Sequence, residues 1–197
     1  MIINVNSLAA DAAAKLLLAQ RRHVLPIDPL RLTLEQRICF ESIGHYCLRT
    51  TCRREELICN PASADGCTLV EIRGSTSYYF ILYNESVPNR GRIAFTLAHE
   101  LGHILLDHLD DDDDSEELAD QFAAELLMPR SLVWELLRRN PRTAPEDLCE
   151  LFGVSYSAAW RKLCGLRTRP DLSADEQRLL VVYGRLLPDE EGPLISW

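Results

Sequence analysis

Phe95-Thr-Leu-Ala-His-Glu-Leu-Gly-His103 is the stretch on which the reading of this chain turns. His99, Glu100 and His103 form an H-E-x-x-H pattern. Residues four apart on a helix lie one above the other, so His99 and His103 present two imidazoles on one face. Two nitrogen donors at that spacing suit a single zinc ion. Glu100 follows the first histidine and can reach a water on the metal without ligating the metal itself, which is the place of a general base. A chance match on a solvated helix would leave these side chains idle. Against that, Ala94, Ala98, Leu101 and Leu105 form an apolar stripe that predicts a packed, amphipathic helix. Gly102 costs such a helix roughly 1 kcal/mol against Ala, so stability alone does not account for it.

A catalytic zinc takes three protein ligands and keeps one position for water. His108 lies five residues beyond His103 and is rotated well off the ligand face. Leu106 and Leu109 stand where the extended metzincin pattern needs Gly and His, which excludes that extension. The next carboxylates are Glu116, Glu117 and Asp120. Glu116 and Asp120 share a helical face, and this pair resembles the second element of the gluzincin metallopeptidases. The resemblance implies that Glu116 binds zinc and that Asp120 hydrogen-bonds a ligand histidine from behind. Glu117 is the rival ligand. Glu116 is preferred because only one of the two can share a face with Asp120 while Ala119, Phe122 and Ala123 face the core.

The flanking sequence predicts both helices and strands. A helix is expected from Ser7 to about Arg22, broken by Pro26 and Pro29. A second is expected from Thr33 to about Tyr46, with Thr33 and Gln36 as a capping box. His23 and His45 are isolated and read as packing or surface residues. Cys67–Arg73 and Ser77–Tyr83 read as strands joined at Gly74. An edge strand there could pair with an extended substrate. The five aspartates Asp110–Asp114 repel one another and read as a solvated loop, after which Ser115 caps the helix carrying Glu116. Pro145 starts a helix ending near Phe152, Gly153 turns the chain, and Ser155 caps another helix through Cys164. That is helix-turn-helix grammar. Arg161, Lys162, Arg167 and Arg169 would suit DNA, but Trp160 and Leu163 make the second helix a better cover or protein-recognition element than a base reader. Ser173 and Glu176 cap a tail helix with an apolar face, which could pack on the chain or dimerise.

Composition sets the class. Apolar content of 47% and charged content of 26% fit a soluble globular protein, and no apolar run is long enough to span a membrane. The N-terminus lacks a basic segment, so no signal peptide is expected. Seven scattered cysteines with no C-x-x-C pair make neither a disulfide framework nor a thiolate zinc site, and a cytoplasmic location fits best. The net charge of −9 is uneven: nine of the fourteen residues from Asp107 to Asp120 are acidic, whereas Arg130–Arg169 is basic on balance. A negative field beside the histidines would draw in a basic partner.

Two segments carry a closer resemblance. Arg92-Ile-Ala-Phe-Thr-Leu-Ala-His-Glu-Leu-Gly-His103 and Glu116-Glu-Leu-Ala-Asp-Gln-Phe-Ala-Ala-Glu-Leu-Leu-Met-Pro129 are similar to the ImmA/IrrE family of metallopeptidases. Weaker similarity lies in Leu25–Asp28 and stronger in Leu148–Ser155. The family implies a zinc-dependent regulatory endopeptidase, commonly phage- or mobile-element-borne, that cleaves a helix-turn-helix repressor. Two features depart from the family: the short, Asp-rich loop before Glu116, and the tail from Asp171. The expected fold is α+β, a zincin-like metallopeptidase core of small sheet plus metal helix, with a helical N-terminal segment and a C-terminal helix-turn-helix-like subdomain. The expected division is a core over 1–140, the helix-turn-helix-like subdomain over 141–170, and a helical extension over 171–197. The alternative is a DNA-binding transcriptional regulator with a structural zinc, closed by a fourth protein ligand. For the oxyanion, Tyr78, Tyr79, Tyr83 and His108 are all open.

Overall fold

The computed structural model describes residues 5–58, 65–107, 112–166 and 168–189. Among them the chain is mixed α+β, with one three-stranded sheet set among helices. Strands β2 (Gly66–Arg73) and β3 (Thr76–Tyr83) form the expected hairpin. Arg73 pairs with Thr76, which leaves a two-residue turn, and Gly74 takes the left-handed conformation at φ +64° that so tight a turn needs.

The helix expected over Thr33–Tyr46 does not form. Ile38–Ser42 is instead a strand, β1, paired in parallel with β3, and helix α2 (Ile43–Thr50) follows it. Ile38 and Phe40 alternate with Cys39 and Glu41, and opposite Tyr79 and Ile81 they pack onto the core. A capping preference at Thr33 is worth about 1 kcal/mol, less than a ladder of backbone bonds plus two half-buried apolar side chains packed on the core. Ser42 then caps α2 by accepting from the His45 N–H. The short α3 (Arg54–Leu57) comes next. Strand order is β1-β3-β2, so β3 is central and β2 is an edge.

Helix α4 (Arg90–Leu105) packs on β2 and β3, and Asn89 caps it by accepting from the Arg92 N–H. On the opposite face of the sheet, Phe80 meets Tyr46 of α2, with ring centroids 6.4 Å apart. Helix α5 (Asp113–Leu127) crosses α4 and buries Ala119, Phe122, Ala123, Leu126 and Leu127. Its cap is Asp112, not Ser115: the Asp112 carboxylate accepts from the Ser115 N–H at 2.8 Å. Asp113 and Asp114 fall in the first turn, where the positive end of the helix dipole stabilises carboxylates. Part of the acidic run therefore belongs to a helix and not to a loop. His108, Asp110 and Asp111 lie outside the described residues.

Helix α1 (Val5–Leu18) begins two residues before Ser7 and lays Ala9, Ala13 and Leu17 against α5 and the tail. Helix α6 (Arg130–Arg139) follows Pro129. Helices α7 (Pro145–Phe152) and α8 (Tyr156–Gly165) span nearly the predicted residues, with Gly153 between them at φ +67°. Helix α9 (Ala174–Tyr183) has the predicted Ser173–Glu176 capping box and packs on α1 and α6 of its own chain, burying Leu179 and Tyr183. Glu176 is buried with its carboxylate on the Arg130 guanidinium, at 2.6 and 2.8 Å. One apolar core runs through all of this, from Ala9 to Leu187. Among the described residues no helix is long and apolar enough to cross a membrane.

Candidate metal centre

His99 and His103 lie one turn apart on α4, and their Nε2 atoms are 3.1 Å apart. Glu116, in the first turn of α5, sets its Oε2 3.4 Å from the His99 nitrogen and its Oε1 3.4 Å from the His103 nitrogen. All three donors lie within 4.8 Å of one another. Two donors each about 2.0–2.1 Å from a tetrahedral zinc are separated by roughly 3.3 Å. The two nitrogens are 3.1 Å apart and each is 3.4 Å from a different oxygen of the Glu116 carboxylate, distances of the size such an ion needs between its donors.

Gly102 is what lets the triangle close. A Cβ on it would stand 3.2 Å from the Ala119 Cα and 3.1 Å from the Phe122 ring. The bare backbone of α4 thus admits α5 to close approach, and α5 carries Glu116 to the histidines.

Asp120, one turn after Glu116, holds His99 from the other side, with its Oδ1 2.8 Å from Nδ1. A proton on Nδ1 leaves Nε2 as the free donor atom. Burial opposes charge on the His99 ring. The Asp120 hydrogen bond, aided by the charges of Asp120, Glu100 and Glu116, outweighs it and holds the imidazole above its ordinary value. Glu117 points elsewhere and accepts from the Gln121 amide at 3.0 Å.

Glu100 is half-buried and faces the sheet. The Thr68 hydroxyl, on edge strand β2, donates to Glu100 Oε2 at 2.6 Å. Sequence reasoning did not single out Thr68. No local pattern marks it, because its place depends on how α4 lies across the hairpin. Thr68 pairs with Ile81, so Tyr79 and Tyr83 share its face of the sheet. Tyr78 is on the opposite face, where its hydroxyl accepts from Arg37 at 2.5 Å. The two imidazoles are mostly buried, with side chains 17% and 16% exposed, whereas Glu116 is 53% exposed. The cluster therefore has a sheltered floor and a side open to a large molecule.

No curated protein matches the chain. Residues 68–163 match the family model Peptidase_M78, the IrrE N-terminal-like domain. The match spans both histidines, Glu116, Asp120 and Thr68, together with α7 and nearly all of α8. Peptidases of this family are metal-dependent. Through residues 68–163 the chain belongs to the ImmA/IrrE family of metallopeptidases.

Proposed function

We propose that this protein is a zinc-dependent endopeptidase that cleaves a regulatory protein in the cytoplasm, with a basic helix-turn-helix repressor as the substrate class. The observation that carries the reading is the triangle of His99 Nε2, His103 Nε2 and the Glu116 carboxylate, with Glu100 beside it. Those three residues would hold the ion. Zinc, when bound, supplies Lewis acidity toward a substrate carbonyl and toward water.

The remaining roles fall to the chain. Glu100 takes the proton of the attacking water and passes it to the leaving amine. Thr68 occupies Oε2 of that carboxylate, which leaves Oε1 to receive the proton. Asp120 keeps His99 oriented with Nε2 toward the cluster. Strand β2, as an edge, offers backbone groups to an extended substrate beside Glu100. The carboxylates of Asp112, Asp113 and Asp114 at the start of α5 give the entrance a negative field that favours a basic partner. We assign the catalytic core to residues 1–140, with 141–170 and 171–197 as helical additions.

A DNA-binding role for 141–170 draws less support. Lys162 of α8 is only 12% exposed and is committed to Glu125 of α5 at 2.7 Å. The exposed side of α8 presents Tyr156 and Trp160, with Arg161 as the one exposed basic side chain among the described residues of that helix.

The test is to incubate the zinc-loaded chain with helix-turn-helix repressors of the same genome, beginning with any encoded by a neighbouring gene. Discrete cleavage is expected, abolished by a chelator and restored by zinc. Glu100→Gln should retain zinc and lose cleavage. A Glu100→Gln protein that cuts at the parental rate would remove Glu100 as the base, and an inert zinc-loaded parent would overturn the assignment.

A further inference from the structure

A cleft of about 300 Å³ lies between α4, α5 and α8, immediately beside the cluster. Its wall includes Asp120, which holds His99, and Phe95, whose ring centroid is 6.4 Å from the His99 imidazole. Met128 is buried at its base, Ala124 and Ala158 form small-residue walls, and Arg161 borders it. Glu117, which accepts from the Gln121 amide, and the exposed Arg161 stand at its edge, and the two other charges that line it are paired. Lys162 is paired with Glu125, and Asp120 is engaged by His99. A charged side chain reaching the base of the cleft would lose water and meet Met128, Leu127 and Ala124, at a cost of several kcal/mol in other proteins. An apolar side chain would gain from the same burial.

We propose that this cleft receives a bulky apolar side chain, such as leucine, methionine or phenylalanine, from a substrate residue flanking the cleaved bond. The proposal rests on the metallopeptidase reading of His99, His103 and Glu116. Its volume exceeds one aliphatic side chain and is too small for a folded segment. Continuity with the cluster through Phe95 and Asp120 makes the occupant part of the same bound polypeptide. It also gives α8 a task in substrate selection, since Ala158 and Arg161 belong to that helix.

The test uses the full chain loaded with zinc and two chelating probes that differ only in an isobutyl group: N-acetyl-leucine hydroxamate and N-acetyl-glycine hydroxamate. Calorimetry should find the leucine probe bound at least about tenfold more tightly, the low end of what burying such a group yields. Ala124→Phe and, separately, Ala158→Phe fill the cleft and should erase that difference. Unchanged binding of the glycine probe would show that the fold and the metal site are intact. Equal binding of the two probes by the parent, or a preference that survives both fillings, overturns the cleft proposal alone. Failure of both probes to bind, or of zinc to load, removes the metal-site reading and this proposal with it.

Discussion

Gly102 and Ala119 face each other where two helices come into close contact: a methyl group on Gly102 would lie 3.2 Å from the Ala119 Cα. That contact fixes the distance between the helix bearing the histidines and the helix bearing Glu116. Gly102→Ala gains roughly 1 kcal/mol of helix propensity and loses a similar amount to overpacking against a backbone atom. Thermal stability should therefore change little. Zinc affinity should fall about tenfold, the lower end of what supporting residues around a metal are worth, because Glu116 is displaced. Unchanged affinity by competition with a zinc chelator would show that α5 position does not set the site.

Thr68→Val removes one hydrogen bond to a charged carboxylate, an interaction worth about 1.5–3 kcal/mol. The expected result is a fall in kcat of at least about tenfold with KM and zinc content little changed. Thr68→Ser should restore most of the rate. Recovery absent from the serine variant would mean that the threonine methyl, and not its hydroxyl, matters.

Removing Glu116 should separate ligand from neighbour. Glu116→Ala is expected to lose zinc on dialysis, and Glu117→Ala to keep it, because Glu117 is turned to Gln121. Asp120→Ala should weaken zinc about 10–100-fold without abolishing binding. Metal analysis of the three proteins decides, and loss from the Glu117 variant alone would reverse the assignment.

Glu135 gives a pH signature away from the site. Hydrogen bonds from Arg138, aided by Arg139 against the cost of burial, hold its carboxyl at about 2, below the ordinary 4.5. A lowered value means the ionised form is favoured by folding. The stabilisation is therefore complete above 4.5 and fades as pH falls toward 2. Glu135→Gln should cost about 1 kcal/mol at neutral pH, and urea denaturation should show that gap closing in acid. A gap that persists at pH 2 would point to packing, not charge.

The helix bearing His99 and His103 was legible because its signal is local: two histidines four apart need only the helical repeat to meet. The carboxylates on α5 were legible for the same reason, once its apolar face was recognised. What failed depended on partners distant in sequence. Ile38–Ser42 became a strand because β3, some forty residues on, offers it a parallel ladder. Thr68 reaches Glu100 only through the packing of α4 on the hairpin, which periodicity within either element does not report. The cap of α5 was misplaced by three residues because several acceptors stand in a row there, and the backbone selected Asp112. Asp112→Ala is expected to lower helix stability as well as the local field, whereas Asp112→Asn keeps a capping oxygen and changes the field.

The pairing of Arg130 with Glu176 bears on where this polypeptide can be cut. Arg130 is 15% exposed and Glu176 only 3%. Deleting the chain from Asp171 onward would take away the carboxylate that the Arg130 guanidinium binds and strip the cover from α1 and α6. Breaking one side of such a pair costs roughly 3–5 kcal/mol, against a total of about 5–15 kcal/mol for a typical domain. Arg139 adds a second tether, donating to the carbonyls of Gly184 at 3.0 Å and Leu187 at 3.3 Å. The smallest unit able to stand alone therefore reaches at least Leu187, and a tag or fused partner belongs beyond that residue and not at the end of α8.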